Sequence, residues 1–268
     1  MDIHKLNKNN YKIKSWIEKY PNYEVNMDNL KIHSSWDEFK QTKEFKECIA
    51  RLNKYFSYCL NLTKGKVNIF PYPDLVFNAL NITPLDKIKV VILGQDPYFN
   101  SDIVDDKIVP QAMGLSFSVP KGIDVPPSLV NIYNNLIKFK HIDKKPSHGN
   151  LAFWAYQGCL LLNTSLTVQE KCPNGHEDKW KTLTDLLIQF ISDNTENVVF
   201  MFWGGPALKK KPIIDENKHK ILISSHPSPM SFQNKLREYD SFMNTDHFGE
   251  ANKYLSEHGK STILWQFI

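Results

Sequence analysis

No stretch of about 18 consecutive apolar residues occurs in the 268-residue sequence, so no transmembrane helix is expected. The opening Met-Asp-Ile-His-Lys leads into no apolar segment, which argues against a secretory signal. Cysteine is scarce, and Cys48, Cys59, Cys159 and Cys172 show no Cys-x-x-Cys spacing. That usage speaks against a disulfide scaffold and for reduced thiols inside a cell. Internal repeats and low-complexity linkers are absent too. With 41% hydrophobic and 23% charged residues, the chain has material for one sizeable core and does not read as disordered.

Arginine is the sharpest shortage. Of 33 Lys and Arg residues, only Arg51 and Arg237 are arginine. Codon usage in an AT-rich genome accounts for lysine and asparagine in its place, but a physical consequence survives that origin. Bidentate Arg–guanine readout in a major groove is almost unavailable. The net charge of +4 permits a polyanionic partner without demanding one. If the chain meets DNA, it should hold phosphates and recognise something other than base sequence.

Residues 1–35 mix Lys, Asn, Tyr and Ile without a clean period and read as an N-terminal extension outside the core, partly helical near 11–19 or flexible. From Ser35, a plausible N-cap, helical spacing of apolar residues runs to about Tyr58. Pro71 and Pro73 force a loop, and 75–80 is read as a short helix. Four short apolar runs follow, at 88–93, 159–162, 198–203 and 220–224. Helix-like segments lie between them at 129–139, 180–192 and, more briefly, 206–211. Apolar strands alternating with helices indicate an α/β fold: a single domain, residues 36–268, with a central four-stranded, mainly parallel sheet flanked by helices.

Ligands in open α/β sheets bind beyond the carboxyl ends of the strands. There the sequence carries Gly94-Gln95-Asp96-Pro97-Tyr98, Asn163-Thr164-Ser165, Gly204-Gly205-Pro206 and Ser225-His226-Pro227-Ser228-Pro229-Met230-Ser231. A carboxylate, a carboxamide, a glycine turn and an imidazole thus share one rim. Dinucleotide-binding, P-loop, hydrolase-elbow and zincin signatures are all missing. Cys172 and His176 are only two of a possible four-ligand set, so neither metal nor cofactor is expected. What remains suits a carboxylate that aligns a water, an amide that pairs with a base edge and a histidine that stabilises an anionic leaving group.

The strand-end motifs at Gly94–Tyr98 and His226–Ser231 closely resemble the two signature motifs of family-1 uracil-DNA glycosylases. The similarity continues through Gln-Ala-Met-Gly-Leu-Ser-Phe-Ser-Val at 111–119, Pro-Pro-Ser-Leu-Val-Asn-Ile-Tyr at 126–133, the segment 154–168 around Asn163, and Val-Phe-Met-Phe-Trp-Gly at 199–204. It covers the chain from about Trp36 onward. The resemblance implies the fold of that family and an enzyme that flips uracil out of DNA, hydrolyses its N-glycosidic bond and leaves an abasic site for base excision repair. It implies that Phe117 stacks on the base, Asn163 pairs with its edge and Tyr98 excludes a C5 methyl. The backbone at Gln95 and a neutral His226 would donate to O2, while Asp96 orients the water. Met230 would fill the vacated stack. Pro127, Ser128, Gly204, Gly205, Ser228 and Ser231 would bring backbone amides and hydroxyls to phosphates.

Three departures stand out. Phe99 replaces the family's usual histidine, Gly205 replaces a common serine, and residues 100–109 insert about eight residues after the first motif. The implied partner is uracil-containing DNA, single- or double-stranded, met by a monomer in the nucleus or cytoplasm, of a host cell if the source is viral. A replication-complex protein could dock through the extension or the insertion. The competing reading is a binding module in which catalysis is secondary or lost. A glycosylase of relaxed base choice would need Tyr98 and Asn163 displaced.

Overall fold

Continuous apolar runs make stable strands only where both faces are covered. The computed structural model, which describes residues 6–266, uses the four runs in that way. The chain passes through α1 (Trp16–Lys19), α2 (Asp37–Gln41), α3 (Lys43–Thr63), β1 (Ile69–Phe70) and α4 (Asn78–Ile82) to the first central strand, β2 (Val90–Gly94). A hairpin of β3 (Ser101–Val104) and β4 (Lys107–Pro110) comes next, then α5 (Pro127–Lys138) and α6 (Ala152–Tyr156). After β5 (Cys159–Asn163) and β6 (Val168–Gln169), the chain alternates α7 (Glu177–Asn194), β7 (Val199–Trp203), α8 (Gly205–Leu208), β8 (Lys220–Ser224) and α9 (His247–Glu257).

The sheet order is β5-β2-β7-β8, and every pairing within it is parallel. Every residue of β2, β5 and β7 is buried, whereas β8, at the edge, is only partly so. Gly94 pairs with Asn163 and Trp203 with Ser224, so all four carboxyl ends meet on one rim. Helices flank the sheet, with α3 packed along α7 and α9 against β7. The α3 stripe of Phe45, Cys48, Ile49, Leu52, Phe56 and Leu60 is buried, as its helical spacing predicts. Among the described residues, no helix is long and apolar enough to cross a membrane.

Two local expectations need correction. The helix expected from Ser35 is broken into two, because Thr42 starts a new one: its Oγ1 accepts from the N–H of Phe45 at 3.2 Å. Ser35 lies in a 3-10 turn, where its hydroxyl accepts from the N–H of Leu85 at 2.9 Å. The N-terminal extension does not lie outside the core. Residues 1–5 are outside the described residues, but Leu6, Trp16 and Met27 are each no more than 2% exposed. Trp16 Nε1 donates to Pro71 O at 3.0 Å, and its ring packs 5.0 Å from that of Phe56. Further along, the N–H groups of Val25 and Met27 donate to Ser57 Oγ and Asn53 Oδ1 on α3. The segment is mostly extended and pegs single side chains into gaps, so no helical or strand period marks its burial.

The insertion folds as the β3–β4 hairpin. Asp105 and Asp106 take φ of 50° and 57° at its turn, as a two-residue type I′ loop requires. Lys8 meets Asp102 at 3.6 Å, and Ser101 Oγ donates to Glu170 Oε1 at 3.0 Å. Ile103 is left 76% exposed.

Candidate active site

β2 must end in glycine for the site to exist. A Cβ on Gly94 would lie 2.1 Å from Asn163 Oδ1 and 2.9 Å from Ser116 Cβ, so the carboxamide of Asn163 occupies the space a side chain would need. Asn163 is 7% exposed, and among the described residues its amide has no protein hydrogen-bond partner. One donor and one acceptor face are therefore available to a ligand. They open on a cavity of about 200 Å³ bordered also by Gln95, Asp96, Tyr98, Phe117 and His226. That is smaller than the roughly 300–1,000 Å³ of drug-sized pockets and suits a single ring.

Phe117 adopts φ of 60° and turns its ring onto Trp203, 5.5 Å away, and His226, 5.8 Å away. The preceding Ser116 donates through its hydroxyl to Ile92 O at 3.1 Å and through its N–H to Leu161 O at 3.1 Å, tying this segment across β2 and β5. Tyr98 Oη donates to Phe117 O at 3.4 Å, and burial pushes its phenol pKa up, which keeps it neutral. Tyr98 and Phe117 are thus braced on one another at the mouth.

His226 carries its own evidence of protonation state. Its Nδ1 accepts from the N–H of Ser228 at 3.0 Å, and a backbone N–H can only donate. The neutral ring therefore carries its proton on Nε2. Burial lowers the pKa to about 4, so this state persists at neutral pH. Opposite in sign, the carboxyl of Asp96 is held above its ordinary range, chiefly by burial. A hydrogen bond from the N–H of Asn174 to Oδ2 at 2.8 Å works against that rise, and the Glu177 carboxylate adds to it.

Of the remaining expected residues, Ser128, Gly204, Gly205, Ser228 and Ser231 border this cavity or a neighbouring one, and Pro127 and Met230 line neither. Pro127 opens α5, and Ser128 behind it lines the first cavity. A second cavity shares Gln95 and His226 and is lined by Gly204, Gly205, Ser228 and Ser231. Gly204 has φ of 92°, a conformation that favours glycine. Nothing would crowd a Cβ on Gly205, so the missing serine there is no steric requirement. Met230 stands 88% exposed beside the rim. Phe99 is half-buried and lines the first cavity.

His176 is occupied structurally: its Nδ1 lies 2.9 Å from Thr167 Oγ1, which also accepts from Trp180 Nε1. Among the described residues, no cluster of three or more His, Cys, Asp or Glu could hold a metal ion. Sequence reasoning missed Asn174, which touches both Asp96 and Gln95 from 78 and 79 residues away. The one available signal was the turn-forming Pro173-Asn174-Gly175 just before a helix.

The profile of the Uracil DNA glycosylase superfamily matches residues 81–256. The chain is 41% identical over 97% of its length to a probable uracil-DNA glycosylase of Acanthamoeba polyphaga mimivirus, covering 72% of that protein. It is 46% identical over 86% of its length to the uracil-DNA glycosylase of Francisella tularensis, covering 93% of it. The crystal structure of the mimivirus enzyme superposes with a TM-score of 0.90 at 39% identity, covering 99% of this chain and 98% of that one. A tyrosine-to-phenylalanine variant of the mimivirus protein in complex with UGI gives 0.92 at 41% identity, covering 98% and 99%. Agreement over this much of both sequence and fold shows that the chain belongs to the uracil-DNA glycosylase superfamily, hydrolases of DNA repair.

Proposed function

We propose that the chain binds uracil flipped out of single- or double-stranded DNA and hydrolyses its bond to deoxyribose. The C1′–N1 bond breaks and its electron pair passes to the uracil ring, where charge gathers at O2. His226, neutral and protonated on Nε2, donates to that oxygen. Asp96 aligns a water whose oxygen bonds to C1′, takes its proton and faces the cationic sugar. Uracil leaves as the anion and is protonated from solvent, Asp96 returns its proton to solvent, and an abasic site remains. No metal or cofactor enters this account.

Asn163 accepts from N3–H and donates to O4, a pattern cytosine reverses. Phe117 stacks on the ring, and Tyr98 stands where the methyl group of thymine would fall. The loops at Pro127–Ser128, Gly204–Gly205 and Ser228–Ser231 hold phosphates through short side chains and backbone amides, which suits a chain so poor in arginine. The observation that most supports the reading is the Ser228 N–H bond to His226 Nδ1, because it leaves the donor on Nε2. Release of free base from matched oligonucleotides tests it: uracil in DNA should be freed, and thymine or uracil in RNA should not. Equal release of thymine would overturn the roles of Tyr98 and Asn163.

DNA as substrate sets the work in the nucleus or cytoplasm. The scaffold alternative rests on the exposed Ile103 of the hairpin, since described residues of the N-terminal segment are built into the core. A polymerase-processivity effect that survives Asp96→Asn would favour it.

A further inference from the structure

Asp96 lies on the turn after β2, yet much of what holds it comes from the loop between β6 and α7. Three hydrogen bonds join that loop to the first signature motif and to Phe99 just after it. The N–H of Lys171 donates to Phe99 O at 3.0 Å, the N–H of Asn174 to Asp96 Oδ2 at 2.8 Å, and Gln95 Nε2 to Asn174 Oδ1 at 2.9 Å. Asn174 thus grips two successive residues of the motif, one with its backbone and one with its side chain. Its φ is 61°, a conformation that asparagine tolerates better than most residues.

The loop is itself braced. Cys172 donates from its N–H to Gln169 O, Gly175 to Cys172 O and Glu177 to Asn174 O. His176, 4% exposed, pins its far end through Thr167. At the near end, Glu170 accepts from Asn68 Nδ2 at 2.9 Å and from Ser101 Oγ at 3.0 Å.

We infer that Asn174 is a positioning residue for the hydrolytic step, its backbone N–H fixing the carboxylate of Asp96 and its side chain fixing Gln95. This rests on the role proposed above for Asp96. Asp96 is the only carboxylate from Gly94 to Phe99. It is held by the N–H of Asn174, from the neighbouring loop, together with its own backbone. The N–H bond also stabilises the charged carboxylate against burial and against Glu177. His226 and Tyr98, which border the same cavity, are neutral at the working pH and add no opposing charge.

The experiment compares Asn174→Gly with Asn174→Pro by steady-state uracil release across pH, with thermal unfolding as the check on folding. Glycine keeps both the N–H and the positive φ; proline removes both. For Asn174→Gly, which loses only the Oδ1 contact to Gln95, the acid limb should stay with wild type and kcat should fall by no more than about threefold. Asn174→Pro should lower kcat at least about tenfold with little change in KM, because the water is misaligned. Its acid limb should move up by about one pH unit, the size of one lost charge-assisted bond. An unchanged limb and kcat in Asn174→Pro, or equal damage in both variants, would overturn the inference.

A second measurement needs no loop variant. By NMR, the Asn174 amide proton of the wild type should titrate with Asp96, and that response should vanish in Asp96→Asn. An amide insensitive to Asp96 sinks the clamp even if Asn174→Pro fails to fold. Conversely, a wild type that releases no uracil while its amide titrates as expected refutes the catalytic reading and leaves the clamp standing.

Discussion

Lowering the pH from 7 to 5 should strip several kcal/mol of stability from this protein, and two histidines outside the site are major contributors. His176 and His247 are each 4% exposed, and burial lowers each pKa from 6.5 to about 4. At His247 geometry reinforces burial: Trp203 Nε1 donates to Nδ1 at 2.9 Å, so a proton there would face a donor. At His176 burial is joined by the Lys179 ammonium and outweighs an opposing hydrogen bond with Thr167. Because the folded pKa values are depressed, the unfolded chain takes up protons first as pH falls through 6.5. The stabilisation is complete above that pH and is lost progressively toward 4. Linkage gives a loss of about 2 kcal/mol per histidine between pH 7 and 5, so about 4 kcal/mol for the pair. Against a typical domain stability of roughly 5–15 kcal/mol, that is a large fraction. His226, also lowered to about 4, and His219 and His148, lowered chiefly by burial, add contributions of the same sign. Urea unfolding at the two pH values measures the sum. His176→Gln and His247→Gln should each flatten the pH dependence by about one proton, whatever they do to absolute stability. Stability that stays level from pH 7 to 5, or a slope unmoved by both substitutions, would refute the reasoning.

Other outcomes follow from single contacts. Gly94→Ala should cost at least about 100-fold in kcat/KM on uracil DNA while the chain still folds, because the new methyl displaces the Asn163 amide. Wild-type kinetics in that variant would contradict the packing of β2 against Asn163. Met230→Ala, at a side chain 88% exposed, should leave thermal stability within about 0.5 kcal/mol of wild type. It should slow uracil release from duplex more than from single strands, since only a duplex has a stack to refill; equal slowing on both would remove Met230 from that role. The acid limb of activity should follow Asp96, whose carboxyl burial raises, and not His226, which stays neutral down to about 4. A limb unaffected by Asp96→Glu but shifted by His226→Asn would reverse that assignment.

The legible part of the sequence was the part governed by short-range rules. Four strands, three of them wholly buried, announce themselves as apolar runs, and in a parallel sheet the residues after each run share a rim. Gln95, Asp96, Asn163 and His226 could therefore be grouped before any coordinates. What stayed hidden depends on contacts between distant segments. Trp16 fills a gap beside Phe56 from a single helical turn, α1, too short to show a period, so its burial leaves no local trace. Thr42 breaks a helix that the apolar spacing alone would have continued, because a cap is a single hydrogen bond. Asn174 reaches Asp96 across the fold through its backbone, and a backbone donor has no side-chain signature. The necessity of Gly94 is likewise invisible until Asn163 is seen lying where a Cβ would be.

The central claim is that Asp96, set beside a neutral His226 and a uracil-reading Asn163, drives hydrolysis of a DNA glycosidic bond. Uracil release from a single-stranded oligonucleotide, measured for wild type and Asp96→Asn with DNA binding followed in parallel, tests it most directly. The account predicts free uracil and an abasic site from wild type, and an Asp96→Asn protein that binds as well but turns over at least about 100-fold more slowly. No uracil from the wild type at any pH, or release by Asp96→Asn at the wild-type rate, would contradict it.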